Sequence, residues 1–419
     1  ATPPTWAFFT AGRAGASAAP GAPRMRNSTV RAVNRLTTRW AAAAQAPAGN
    51  PGTVFTAAGL WPLLALLADG SDGPARAELA QSLGIPAEGA GQAARDLVAA
   101  LAGVRGLRTA TGLWTDAGLP LEDDWSAKLP AGARGTLTGD PDADAKALDA
   151  WASDRTDGLI ERMPAVLDES TLMVLVSALT LRLRWIQPFV DGEGEPHTGP
   201  WAGRPVRSLY RSTSLLDRVG VAHGPSGAVT LLEVVGAAGV DVHLVLGEPE
   251  APVGDTLTTG IAAVTRARPA TGASLLPDGR PGPGLAVRTV AAFSPRPRLD
   301  IETVAFEVRS EHDLLDHARL FGLETATDAD HGHFPGISSQ PLAITSARQS
   351  ALARFDAAGF EAAAVSTFGA AAGCAAPARP RYRARRAEVC FDRPFGFLAV
   401  HRTSRLVLAA GWVTEPDAP

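Results

Sequence analysis

Four side chains in the last third of the chain could hold a cation: Asp328, Asp330, His331 and His333. Imidazole nitrogen and carboxylate oxygen together suit a borderline transition metal. Alternating ligands on a loop that also contains Gly332 are a weak signature, and the stretch reads as a solvated polar loop with no metal expected. His243, alternating with valine and leucine, reads as a half-buried structural histidine rather than a general base. Further on, Arg379, Arg381, Arg383, Arg385 and Arg386 crowd one short stretch. Such a comb fits either an acidic partner surface or the solvated edge of a strand. No phosphate-cradling GxxxxGK[ST], HExxH, GxSxG elbow or dinucleotide fingerprint occurs. A Ser/His/Asp triad can be assembled from distant residues, but no local motif supports one.

The elements that must position these groups follow from periodicity. Val33, Leu36 and Trp40 recur at helical spacing and predict an opening amphipathic helix, which Gly49-Asn50-Pro51-Gly52 ends. Val54-Phe55-Thr56 predicts a short strand, then a buried helix through Leu63, Leu64, Leu66 and Leu67 with Pro62 in its first turn. Ala145–Met163 predicts another helix. Thr171–Leu181 is an apolar run with β-branched residues, suited to a strand buried on both faces. Leu231–Val235 and Val240–Leu246 flank Gly236-Ala237-Ala238-Gly239 and predict a hairpin. Alternation sets Asp241 and His243 opposite Val240, Val242, Leu244 and Leu246. Ser310 and Asp313 read as a cap pair opening a helix that ends at Gly322. Phe395–His401 and Leu406–Val413 predict two closing strands. Helices dominate the first third and strands the rest, so the class is α+β.

With 419 residues, 46% of them hydrophobic and 20% charged, the chain can bury a large core. A net charge of −4 asks for no nucleic acid and no anionic membrane, and neither is expected as a partner. The longest apolar runs fall short of the roughly 20 residues of a membrane-spanning helix. Two cysteines, Cys374 and Cys390, allow one bridge or two free thiols. Residues 1–26 have no clear signal-type apolar core and are expected to form a disordered leader, leaving 27–419 as one domain.

Several blocks in one order carry a resemblance. Val174-Leu175-Val176-Ser177-Ala178-Leu179 runs on to Trp185 and Pro188-Phe189. Upstream stand Leu148-Asp149-Ala150-Trp151 and Thr156-Asp157-Gly158-Leu159-Ile160. Phe391-Asp392-Arg393-Pro394-Phe395-Gly396-Phe397-Leu398 precedes Gly411 and Pro416, and Val54-Phe55-Thr56 with Gly70 and Gly73 forms an N-terminal block. Weaker matches fill the gap through Leu320-Phe321-Gly322 and Phe334-Pro335-Gly336-Ile337-Ser338. Together, from Val33 to Pro416, they resemble the serpin family of serine protease inhibitors, in a bacterial-type form. The resemblance implies an α+β fold of three β-sheets and about eight or nine helices, with an exposed reactive loop near residues 357–390.

In that family a protease attacks the loop as a substrate and forms the usual acyl ester on its serine. The cut loop then enters the central sheet as a new strand and drags the attached protease with it. The resemblance therefore implies a suicide-substrate inhibitor of a trypsin-like or subtilisin-like serine protease, monomeric, needing no catalytic residue and no cofactor of its own. It also implies an extracellular setting, with a cytoplasmic one left open. The alternative is a non-inhibitory binding or structural protein on the same fold.

The implied hinge is Gly359, Phe360, Glu361, Ala362, Ala363, Ala364, Val365 and Ser366. Its small side chains suit a strand that enters an already packed sheet. Phe360 departs from the family's threonine or serine, at a side chain expected to turn inward. Ala357 replaces an acidic residue, and Gln349 stands where the family usually has histidine. Thr56, Gly59, Ser177, Trp185 and Gln349 are expected to form the region where the sheet opens. Spacing counted from Gly359 sets the cut at Gly373–Cys374. Counted back from Phe391 it falls at Arg383–Ala384, where the arginines would suit a trypsin-like enzyme.

Overall fold

A computed structural model describes residues 25–45, 49, 52–165, 167–168, 171–328, 330–360 and 381–419. α1 (Asn27–Ala43) buries Val33, Leu36 and Trp40, as their spacing predicts. β1 (Gly52–Phe55) leads through Thr56 into the buried α2 (Ala57–Gly70). That helix starts early enough to put Pro62 in its second turn, where the missing N–H leaves the Ala58 carbonyl without its helical partner. There follow α3 (Gly73–Leu83), α4 (Ala90–Ala102), β2 (Leu107–Asp116), α5 (Asp123–Ser126), β3 (Arg134–Leu137) and α6 (Pro141–Arg155). α6 stops short of the expected Met163. Thr156 Oγ1 donates to the Ala152 carbonyl and accepts from the Ile160 N–H, while Asp157 and Gly158 take left-handed φ values of 53° and 78°. Residues in that conformation turn the chain out of a helix.

Strands dominate from there. The next are β4 (Met173–Leu181), β5 (Leu183–Arg184), β6 (Val190–Gly194), β7 (Val206–Thr213), β8 (Val219–Gly224), β9 (Gly227–Val235) and β10 (Val240–Leu246). After α7 (Val253–Val264) come β11 (Thr271–Gly272), β12 (Gly279–Gly282), β13 (Leu285–Ala292), β14 (Arg298–Val304) and β15 (Phe306–Asp313). α8 (Ala318–Phe321) precedes β16 (Ser346–Phe355), β17 (Gly359–Phe360), β18 (Tyr382–Cys390), β19 (Phe395–His401) and β20 (Val407–Val413). The described residues thus carry eight α-helices and three large sheets. No helix among them is long and apolar enough to cross a membrane.

The five-stranded sheet is ordered β15-β16-β4-β2-β3. Its β16–β4 junction is parallel, while β15–β16 and β4–β2 are antiparallel. The predicted double burial of β4 has a simple cause. Val174, Val176 and Ala178 face α6 with Leu148 and Ala152, while Met173, Leu175 and Leu179 join the main core. Gly112 on β2 is required here, because a Cβ would stand 2.7 Å from the Trp151 ring.

The other sheets are β1-β20-β19-β10-β9-β8-β11 and β12-β13-β18-β14-β7-β6. The β9–β10 hairpin forms as predicted, with Asp241 opposite Val235. Every residue of β10 is buried, however, so Asp241 does not face solvent. Its carboxylate is instead held by Arg402, at 2.8 Å from Nε and 2.6 Å from Nη2. Ser310 and Asp313, read from the sequence as a cap pair, lie in β15. Ser310 accepts a hydrogen bond from Val54 N–H in another strand, and only Asp313 caps the turn ahead of α8, through Leu315 N–H.

Candidate functional site: a loop root at the mouth of the central sheet

β16 ends at Phe355, whose ring packs on Phe306, Trp185 and Phe189. The chain then reverses. Asp356 N–H donates to the Gly359 carbonyl at 2.9 Å, and Asp356 Oδ1 accepts from both Ala358 and Gly359 N–H at 2.9 Å. An aspartate opening a turn that closes on glycine is a common β-turn arrangement. Trp185 holds the turn from below: its indole Nε1 donates to the Asp356 carbonyl at 2.9 Å, and its N–H to the Ala358 carbonyl. Ala357 is buried, with its carbonyl accepting from Phe189 N–H.

The turn sends β17 back against β5, antiparallel, with Gly359 opposite Arg184 and Phe360 opposite Leu183. Gly359 has to be glycine, since a Cβ would lie 2.0 Å from the Leu183 carbonyl oxygen. β5 continues the line of β4, whose far side is taken by β2. β17 therefore starts on the β16 side. There β16 and β4 pair over six residues, from Ser346 opposite Val174 to Ala351 opposite Leu179, and then part. Above that point Leu352–Phe355 pair with β15 and Thr180–Leu181 with β2. The loop root begins a strand in the mouth of this slot.

Below the mouth, on the core side, a polar cluster joins the slot to α2. Gln349 and Ser177 face each other across the β16–β4 junction. Gln349 binds both backbone groups of Thr56: Oε1 accepts its N–H at 2.8 Å, and Nε2 donates to its carbonyl at 2.9 Å. Thr56 caps α2 by accepting from Gly59 N–H at 3.1 Å and donates its hydroxyl to the Leu408 carbonyl. A Cβ on Gly59 would meet Ser177 Oγ at 2.9 Å, and that buried hydroxyl has no hydrogen-bond partner among the described residues. His312, opposite Gln349 on β15, sets Nε2 2.8 Å from the Val54 carbonyl. Burial holds this imidazole below its usual pKa.

Of the five residues expected where the sheet opens, Thr56, Gly59, Ser177 and Gln349 converge here. Trp185 stands apart, beneath the loop root. Asp356 and His312 were not singled out from the sequence, and Ser310 was read there only as a helix cap. Only Asp356 had a local signal, the Asp-Ala-Ala-Gly turn itself.

The hinge residues Glu361, Ala362, Ala363, Ala364, Val365 and Ser366 and the bond Gly373–Cys374 fall within 361–380, outside the described residues. The other expected scissile bond is placed differently from the sequence expectation. The exposed loop was expected to run to Cys390, yet Tyr382–Cys390 is β18. Arg383 pairs with Ala291 and Ala384 with Val290. Ala384 is 4% exposed, so the Arg383–Ala384 bond sits in a hydrogen-bonded ladder. Arg385 donates to the Ala273 and Leu276 carbonyls and pairs with Asp278, and Arg386 lies 3.8 Å from Asp300. Most of the described arginine comb is thus tied down by its own fold. Burial, with Glu302 and Asp392 nearby, pushes the Cys390 thiol up to about 12.

Three large sheets, a mixed central sheet with a parallel junction and a loop root turned into its mouth together define the serpin fold. The chain belongs to that family: the family model described as "Serpin (serine protease inhibitor)" matches residues 31–198 and 295–416. Similar solved structures include the native state of Tengpin, a thermophilic serpin, with TM-score 0.70 and 14% identity over 92% of this chain and 93% of that one. Serpin48 from the insect Tenebrio molitor gives TM-score 0.66 and 18% identity over 92% and 97%. Thyroxine-binding globulin in complex with thyroxine gives 0.67 and 15% over 93% and 99%. At such identities the likeness shows the fold alone. No curated protein matches the chain. Members of the family are generally protease inhibitors rather than enzymes, and the family also includes non-inhibitory proteins such as thyroxine-binding globulin.

Proposed function

We propose that this chain traps a serine protease as a suicide substrate, the loop between Phe360 and Tyr382 being cut and its N-terminal arm becoming a strand between β4 and β16. The protease serine Oγ attacks a loop carbonyl, the peptide C–N bond breaks, and the leaving amine departs with a proton while the arm stays esterified to the enzyme. Strand entry then carries the ester away from its loop position before water can release it. The chain contributes no catalytic group and needs no cofactor, and it acts as a monomer. The observation that carries this reading is the Asp356–Gly359 turn, which aims Gly359 and Phe360 into the slot above Ala351 and Leu179.

The cut falls at Gly373–Cys374, since a protease cleft needs an extended segment free of other strands and Arg383–Ala384 is paired to β13. Between residues 361 and 380 the one arginine, Arg379, is followed by Pro380, a poor start for a leaving group in trypsin-like cleavage. The surrounding alanines and glycines suit a subtilisin-like enzyme with a shallow pocket instead. Phe360 favours a second reading, a non-inhibitory serpin whose loop is cut without trapping, because a large side chain at the front of the entering strand overpacks the sheet.

Incubation with subtilisin and with trypsin, followed by denaturing electrophoresis, tests the proposal. A covalent complex with subtilisin is expected, with a released peptide whose mass begins at Cys374. Cleavage with no complex, and no rise in melting temperature after the cut, would overturn the inhibitor reading in favour of the second.

A further inference from the structure

We propose that Asp328, His331 and His333 form a binding site for a zinc-class divalent cation, independent of the reactive loop. The polar stretch read from the sequence as merely solvated is organised around one atom. Asp328 Oδ2 lies 2.9 Å from His331 Nδ1 and 3.3 Å from His333 Nε2. The three ligand atoms lie within 4.8 Å of one another. Two ligands about 2.1 Å from one tetrahedral metal stand about 3.4 Å apart, so the 3.3 Å Asp328–His333 edge already has that separation and the 2.9 Å Asp328–His331 edge has to open by about 0.5 Å. Only the His331–His333 edge has to close. His331, with 74% of its side chain exposed, is free to swing, whereas His333, at 13%, is not.

The surroundings orient the ligands in the way supporting groups do around known metals. Asp330 N–H donates to the other carboxylate oxygen, Asp328 Oδ1, at 2.9 Å, which leaves Oδ2 to the imidazoles. Both ends of the segment are fixed to α3. The His333 carbonyl accepts from Asp72 N–H at the helix cap, and the turn leading to Asp328 is held by Glu78, which accepts from Thr325 N–H at 2.9 Å. Two imidazoles and one carboxylate favour zinc over magnesium or calcium, which prefer oxygen alone. A cation here would tie the turn after α8 to the segment that feeds β16.

Titration of the untagged full chain with zinc chloride, followed calorimetrically, tests the site. One equivalent of zinc is expected to bind, with no binding of magnesium chloride at the same concentrations, and His331→Ala and Asp328→Asn are each expected to weaken it at least tenfold. His331 is exposed, so its truncation leaves the fold intact. Cobalt(II) added to the wild-type chain is expected to give visible bands that zinc abolishes, a readout that needs no variant. Absence of saturable zinc binding, equal binding of magnesium, or wild-type affinity in either variant overturns the proposal.

Discussion

Gln349 grips Thr56 by both backbone groups, its amide oxygen taking the N–H at 2.8 Å and its amide nitrogen reaching the carbonyl at 2.9 Å. One side chain on β16 thereby fixes the start of α2, the helix that backs the slot. The grip replaces what a histidine would give at this position, since an imidazole cannot donate and accept toward one residue in this side-by-side way.

Truncation should expose its worth. Gln349→Ala leaves two buried backbone groups of Thr56 unpaired, at about 1–3 kcal/mol for each. The first unfolding transition in urea is expected to fall by about 2–6 kcal/mol. Gln349→Glu keeps the acceptor, loses the donor and should fall in between.

Ser177 presents the opposite case. Its hydroxyl is buried beside Gly59 without a partner among the described residues, so Ser177→Ala removes an uncompensated polar group. Stability should rise by about 1 kcal/mol, read as a higher melting temperature.

Asp356 aims the loop root. With Asp356→Ala the N–H groups of Ala358 and Gly359 lose their acceptor, and β17 is no longer directed against β5. Cleavage by subtilisin should keep its rate while the ratio of covalent complex to cleaved chain drops. An unchanged ratio would show that the turn plays no part in strand entry.

Phe360→Thr acts on the same ratio in the other direction. Overpacking by a large side chain costs about 1–3 kcal/mol, and relief of it in the entering strand should raise the complex-to-cleaved ratio about tenfold. Densitometry of the two bands is the measurement.

His312 gives a pH dependence with a definite sign. Burial depresses its folded pKa below the usual 6.5, so in the window beneath that value the unfolded chain binds the extra proton and the native chain does not. Stability is therefore fully present above pH 6.5 and declines as the pH falls toward the folded pKa. His312→Gln, which can still donate to the Val54 carbonyl, should flatten that decline in urea midpoints measured from pH 7 to about 5.5.

Much of the fold was legible where burial is simple. Met173–Leu181 is apolar throughout because α6 covers one face and the core the other, and Gly236–Gly239 announces its hairpin by composition. Ser310 and Asp313 misled because a serine that accepts from a distant strand looks, in one dimension, like a serine that caps a helix. β18 was legible only as one of two readings, the solvated edge of a strand, for a related reason. Arg385 and Arg386 are both half-buried, which breaks the alternation by which a strand is recognised, and their partners Ala273, Leu276, Asp278 and Asp300 lie far away in sequence. Gly359 and Gln349 were found through resemblance, whereas the Asp356 turn was readable from its own four residues.

The parallel junction between β16 and β4 has a consequence for direction. A strand continued from Phe360 runs opposite to both neighbours, because β17 already opposes β5 and the turn at Asp356 reverses β16. Its entry exchanges one ladder of slanted hydrogen bonds for two ladders of straight ones, which are the more stable per residue. Each backbone group that β4 and β16 lose from one another finds a new partner on the newcomer, and the newcomer's second edge is paired as well. On the proposed mechanism, the sheet before cleavage is thus one row short of its most favourable polarity, and the peptide bond to be cut in the loop would be the latch that keeps it there.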